Sequence, residues 1–101
     1  MENYKITWSS KSMSDLQDCI SFVMNVSKES ALSLLNDILV AVDSLQNFPE
    51  RNSIFDMPKS FPFVIRKQLV NQRYAILYSI KENEIILFRI LDLRRKFAAL
   101  L

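Results

Sequence analysis

The sequence predicts an α+β domain in the order β-αα-βββ, an antiparallel meander packed on a helical hairpin. Three observations carry this expectation. The second half holds three runs rich in β-branched and aromatic residues, Val64–Val70, Arg73–Lys81 and Glu84–Leu91, the composition that strand pairing selects. The connections between them, Asn71-Gln72 and Lys81-Glu82-Asn83-Glu84, are too short for a parallel crossover, so the strands must run antiparallel. The first half carries two apolar stripes at spacings of three and four, which is helical. A chain of 101 residues supports a single core, and 1–101 is read as one domain.

Taken in order, Tyr4-Lys5-Ile6-Thr7-Trp8 alternates apolar with polar residues and reads as a first strand. Ser12, with Asp15 three positions on, resembles a capping box. Met13, Leu16, Ile20 and Val23 then make one stripe of a helix that ends near Asn25. Ser27 caps the second helix, whose stripe of Ala31, Leu34, Leu35, Ile38, Val42 and Leu45 runs to about Gln46. Phe48-Pro49 stops it, because proline restricts its predecessor and cannot donate to a continuing helix. Residues 50–62 form a loop whose Ile54, Phe55, Met57 and Phe61 are too apolar to stay off the core. Past Leu91 a basic-to-apolar tail, Asp92-Leu93-Arg94-Arg95-Lys96-Phe97 and the four residues after it, could add a helical turn or two.

Within the meander, alternation puts Tyr74, Ile76, Tyr78 and Ile80 on one face of the middle strand. In the third it separates Ile85, Leu87, Arg89 and Leu91 from Ile86, Phe88, Ile90 and Asp92. The hairpin covers one sheet face and leaves the other open.

Composition excludes several functions. With no glycine there is no Gly-rich phosphate loop or dinucleotide fingerprint. With no histidine the commonest general base and the commonest zinc ligand are missing. A single cysteine, Cys19, rules out an internal disulfide and a thiolate cluster, and reads as a small buried hydrophobe. No metal and no cofactor is expected. No apolar run reaches the length of a membrane span and the start, MENYKITW, is not a signal peptide, so the expectation is a cytoplasmic protein.

The net charge of +2 is unevenly spread: residues 1–49 carry three Lys/Arg against six acids, −3, and residues 50–101 ten against five, +5. The sheet half is therefore a footprint for phosphate or an acidic partner. Arg66 and Arg89 project from otherwise apolar strands. One reading has them solvating the open face; the other has Arg66, Arg89, Arg94, Arg95 and Lys96 converging on a phosphate, which a guanidinium meets with paired donors. Lys67 and Arg73 join Arg95 and Lys96 as candidates for holding a substrate or partner. Tyr74 and Tyr78 could stack on bases, although tyrosines at strand spacing more often pack. Asp92 and Arg94 could form a local ion pair.

The strings YKITWSSKSMSDLQDCISFV, SLQNFPE and IRKQLVNQRYAILYSIKENEIILFRILDLRR, in that order over nearly the whole chain, resemble the RelE/ParE superfamily of type II toxin–antitoxin toxins. The resemblance implies a RelE/ParE-like fold and a growth-inhibiting toxin neutralised by a cognate antitoxin that folds onto it. It also implies one of two targets, mRNA cleaved on the ribosome or DNA gyrase. For a nuclease it assigns Arg66 to the strand arginine, and Arg89 or Arg94 to the C-terminal one. Asp92 stands where many relatives carry histidine, and no tyrosine or histidine follows Tyr78. Two readings outside the toxin class stay beside it: a non-toxic RNA- or protein-binding module, and a small subunit that dimerises through its sheet edge.

Overall fold

Ser9 turns the first strand into the first helix. In the computed structural model, which describes residues 4–94, its backbone is extended and its hydroxyl accepts the N–H of Ser12 at 3.0 Å. The helix cap is thus Ser9, three residues before the Ser12 expected from sequence. Ser12 is instead fully buried and donates its own hydroxyl back to the Ser9 carbonyl at 2.8 Å. Asp15, released from any capping role, points at the sheet.

The elements are β1 (Lys5–Trp8), α1 (Ser10–Met24), α2 (Lys28–Ser44), a 3-10 turn (Pro49–Arg51), β2 (Ile54–Phe55), β3 (Ile65–Val70), β4 (Tyr74–Lys81) and β5 (Glu84–Asp92). They build the α+β arrangement expected, with the antiparallel meander at the centre. The five-stranded sheet has the order β1-β5-β4-β3-β2. β1 lies parallel to β5 and every other pairing is antiparallel. The short β2 was not legible in the apolar loop. Two residues are too few to show a period, and they pair only because β3 offers them an edge.

Ser27 caps α2 as expected, accepting from the Ser30 N–H at 3.2 Å, with Glu29 favourably placed in the first turn. A chain without glycine must make its turns from other residues. Phe48, Asn71, Gln72 and Glu82 all take positive φ, between 52° and 56°, at a cost of about 1–2 kcal/mol each. Asn71 and Gln72 together give the two-residue turn that suits the twist of an antiparallel pair.

The core has two parts. Leu34, Ile38 and Val42 of α2, Leu45 just after it and Cys19 of α1 pack on Tyr74, Ile76, Tyr78, Ile85, Leu87 and Ile90 of the sheet, with Ile6 and Trp8 of β1 at its side. The opposite face is not open. Ile65, Ala75, Leu77 and Leu91 form a second cluster there, covered by Phe55, Met57, Phe61, Phe88 and Leu93. Met13, expected in the α1 stripe, is 44% exposed because the helix presents Ser12 and Cys19 to the core instead.

Strict alternation also fails in β5. Tyr78 faces Leu87 while Leu77 faces Arg89, so Phe88 is an extra residue, a β-bulge. Past it the phase is reversed: Leu87 and Ile90 share the helix-side cluster, while Phe88 and Leu91 share the other. The expected grouping of Leu87 with Leu91 is corrected accordingly.

Candidate functional site

The bulge decides where Arg89 goes. Instead of projecting to solvent, its guanidinium forks onto Asp15 of α1, Nε to Oδ2 at 2.7 Å and Nη2 to Oδ1 at 3.0 Å. Asp15 Oδ2 also accepts the Ile90 N–H at 2.9 Å. Both side chains are nearly buried, at 10% and 11% exposure. The hydrogen bond to Asp15 raises the Arg89 pKa against the opposing pull of burial. An arginine so held keeps its charge and spends it on α1.

The register separates Arg89, opposite Leu77 of the far-face cluster, from Arg66, which lies opposite Tyr78 of the helix-side cluster. Arg66 Nη1 donates to the carbonyls of Asn52 at 2.6 Å and Glu50 at 3.1 Å. The register thus does not bring the two phosphate candidates together, and each is turned to its own partner. Lys67, one position on, faces the opposite side of the sheet with Leu77.

Arg73 and Arg94 meet at the far end of the meander. Tyr74 pairs with Asp92 in the register, and this brings Arg73 Nη2 to Asp92 Oδ2 at 3.1 Å. Arg73 also lies over the Tyr74 ring at 5.0 Å, and the bond to Asp92 raises its pKa. Asp92 Oδ1 accepts the Arg94 backbone N–H at 3.0 Å. The ion pair expected between Asp92 and Arg94 is therefore built across the hairpin, with Arg73. Arg95 and Lys96 lie outside the described residues.

The tyrosines are packed. Tyr74 is 3% exposed and Tyr78 fully buried, and burial pushes both phenols above their ordinary pKa. Tyr78 donates its hydroxyl to the Pro49 carbonyl at 2.6 Å and accepts from Asn52 Nδ2 at 3.0 Å. It thereby ties the turn after α2 to the sheet. Removing that hydroxyl in Tyr78→Phe leaves two polar groups short of a partner and is expected to lower stability by about 1–3 kcal/mol in urea unfolding. A shift of the midpoint within error would show that the turn is held without it.

The residue that sequence reading missed at this corner is Arg51. Its guanidinium donates to the carbonyls of Ser44, Asn47 and Phe48, to Ser44 Oγ at 3.1 Å and to Gln68 Oε1 at 3.0 Å. It thus caps the C-terminal end of α2, where a cation is favourable. The available signal was a basic residue just beyond the last apolar position of a helix.

A second feature lies on the far face. Phe61, Phe63, Val64 and Ile65 with Ile80, Ile86 and Phe88 line an apolar groove of 590 Å³ that has Lys81 in its wall. Phe63 and Val64 remain 64% and 61% exposed. Among the described residues no group of His, Cys, Asp and Glu could hold a metal ion, and no helix is long and apolar enough to cross a membrane.

The model of the family described as ParE toxin of type II toxin-antitoxin system, parDE, matches residues 6–97. A solved structure from the chromosomal ParDE TA system of P. aeruginosa is similar in fold, with a TM-score of 0.69 and 23% identity, covering 88% of this chain and 95% of that one. No curated protein sequence matches.

Proposed function

The chain belongs to the ParE toxin family of type II toxin–antitoxin systems, and from that premise we propose that it arrests growth by gripping a protein, DNA gyrase, rather than by cutting mRNA. The observation that carries this reading is the engagement of Arg89 by Asp15, at 2.7 and 3.0 Å in a nearly dry setting. RNA cleavage by 2′-hydroxyl attack needs cationic donors aimed at a phosphate and a group that can pass a proton near neutral pH. Arg89 is committed to a carboxylate, Arg73 to Asp92, and both meander tyrosines are buried with raised pKa values. Of Arg66, Arg73 and Arg89, Arg66 alone keeps clear of a carboxylate, and a guanidinium without a proton carrier beside it does not make a nuclease.

Membership of the family implies an antitoxin as partner. The apolar groove with Lys81 in its wall suits that role. An acidic, amphipathic segment would bury its apolar side chains against Phe63, Ile80 and Phe88 and set its carboxylates toward the lysine, so affinity would rest on a few apolar anchors.

Induction of the chain alone in a bacterial host tests the reading. Growth should stop, purified gyrase should lose supercoiling of relaxed plasmid, and primer extension on cellular mRNA should show no new 5′ ends. New 5′ ends with gyrase unaffected would return the function to RNA cleavage. Unchanged growth at confirmed soluble expression would remove the toxin reading altogether.

A further inference from the structure

The corner where α2 hands over to β2 and β3 carries an aromatic side chain that the fold does not require. Phe48 is 81% exposed and held at φ 52°, ψ 66°, a left-handed conformation that costs a bulky side chain and that asparagine takes more readily. Strain at an exposed aromatic, with no burial in return, is the kind of outlier that marks a functional surface. Ile54, 60% exposed, stands opposite Arg66 in the β2–β3 pair.

Two guanidinium groups flank these apolar residues. Arg51 and Arg66 are both fixed by main-chain carbonyls, and among the described residues neither pairs with a carboxylate. Carbonyls orient a guanidinium without neutralising it. Arg66 uses Nη1 alone for those bonds, so the donors on Nε and Nη2, three of the group's five, are not among them. Glu50, the acid of the turn, lends Arg66 its carbonyl and pairs with neither arginine. The corner therefore presents immobilised positive charge beside exposed aromatic and aliphatic surface. Arginine and aromatic anchors of this kind dominate protein interfaces, and their ordering cost is already met in the free chain.

We propose that this corner is the surface by which the chain grips its protein target, and that it takes a carboxylate-bearing side chain flanked by apolar surface on that protein. The inference rests on the reading that the chain acts by protein contact, and it places that contact away from the groove on the far face.

Phe48→Asn is the decisive variant, because asparagine tolerates the left-handed backbone while removing the ring. The Phe48→Asn, Arg66→Gln double variant adds loss of the fixed charge. Expected for Phe48→Asn is an unchanged or raised Tm, unchanged capture by the cognate antitoxin, and about a tenfold or greater rise in the amount of protein needed for growth arrest and for gyrase inhibition. The double variant should lose both activities. Growth arrest equal to wild type in both variants at equal soluble yield overturns the proposal. So does loss of antitoxin capture with growth arrest retained, which would give the corner to the antitoxin. New mRNA 5′ ends that depend on Arg66 but not on Phe48 overturn it too, as a phosphate contact. If wild type spares gyrase while Phe48→Asn still loses growth arrest, the choice of gyrase fails and the corner stands.

Discussion

Asp15→Ala is expected to lower the unfolding free energy by about 3–5 kcal/mol, because it strands Arg89 in a nearly dry pocket without its counter-charge. The Arg89 side chain is 10% exposed, so water cannot replace the carboxylate at full strength. The same substitution orphans the Ile90 N–H, a further unmet donor beside the bulge. Replacing both partners at once, Asp15→Leu with Arg89→Met, removes the buried charges together and should cost far less than the single change. Urea unfolding of the three variants measures the difference. A loss below about 1 kcal/mol for Asp15→Ala would mean that the pair is solvated in solution and that Arg89 is free for other work.

Ile38→Ala should cost a comparable amount, about 2–5 kcal/mol, through a cavity between α2 and the sheet. Ile38 has no exposed surface and sits among the residues of the helix-side cluster. At roughly 4–8 °C per kcal/mol for a chain of this size, the Tm falls by about 8 °C or more. Met13→Ala supplies the contrast. Sequence periodicity put both residues on buried stripes, but Met13 is 44% exposed, and its truncation should stay within about 0.5 kcal/mol. Equal losses at the two positions would show that α1 packs in solution with the face its sequence suggests.

That contrast indicates what was legible in the chain. The order of the helices and of every strand but β2, the cap at Ser27 and both hairpins follow from local chemistry: apolar spacing, a hydroxyl before a helix, asparagine in a two-residue turn. The cap of α1 did not, because four serines within positions 9–14 all offer the same hydroxyl, and only burial of Ser12 singles out Ser9. β1 was legible as a strand, but its parallel place beside β5 depends on a partner 79 positions away, as in Ser9 Oγ donating to the Phe88 carbonyl.

The candidate site was less legible than the fold, for one reason. Arg66 and Arg89 were correctly identified as the charged residues of apolar strands, but their directions depend on features without a local signature. A single inserted residue at Phe88 sets Arg89 opposite Leu77, where Asp15 of α1 takes its guanidinium, and Tyr78 with Asn52 brings the carbonyls of the turn to Arg66. Asp92 likewise looked toward Arg94 along the chain, whereas the hairpin supplies Arg73. Charge type is written in a sequence residue by residue. Charge pairing is written in the register.

The parallel pairing of β1 with β5 bears on the order of synthesis. Ile6 lies against Ile85 and Trp8 against Leu87, so β1 has no strand neighbour until β5 has been made. Asp15 waits for Arg89 in the same way. Contacts this distant in the chain repay their loop-closure entropy late. A polypeptide halted before Glu84 holds neither the neighbour of β1 nor the counter-charge of Asp15. Insertion of β5 between β1 and β4 is thus the step that joins the first strand and α1 to a sheet whose β2, β3 and β4 already hold Arg66 and the α2 corner.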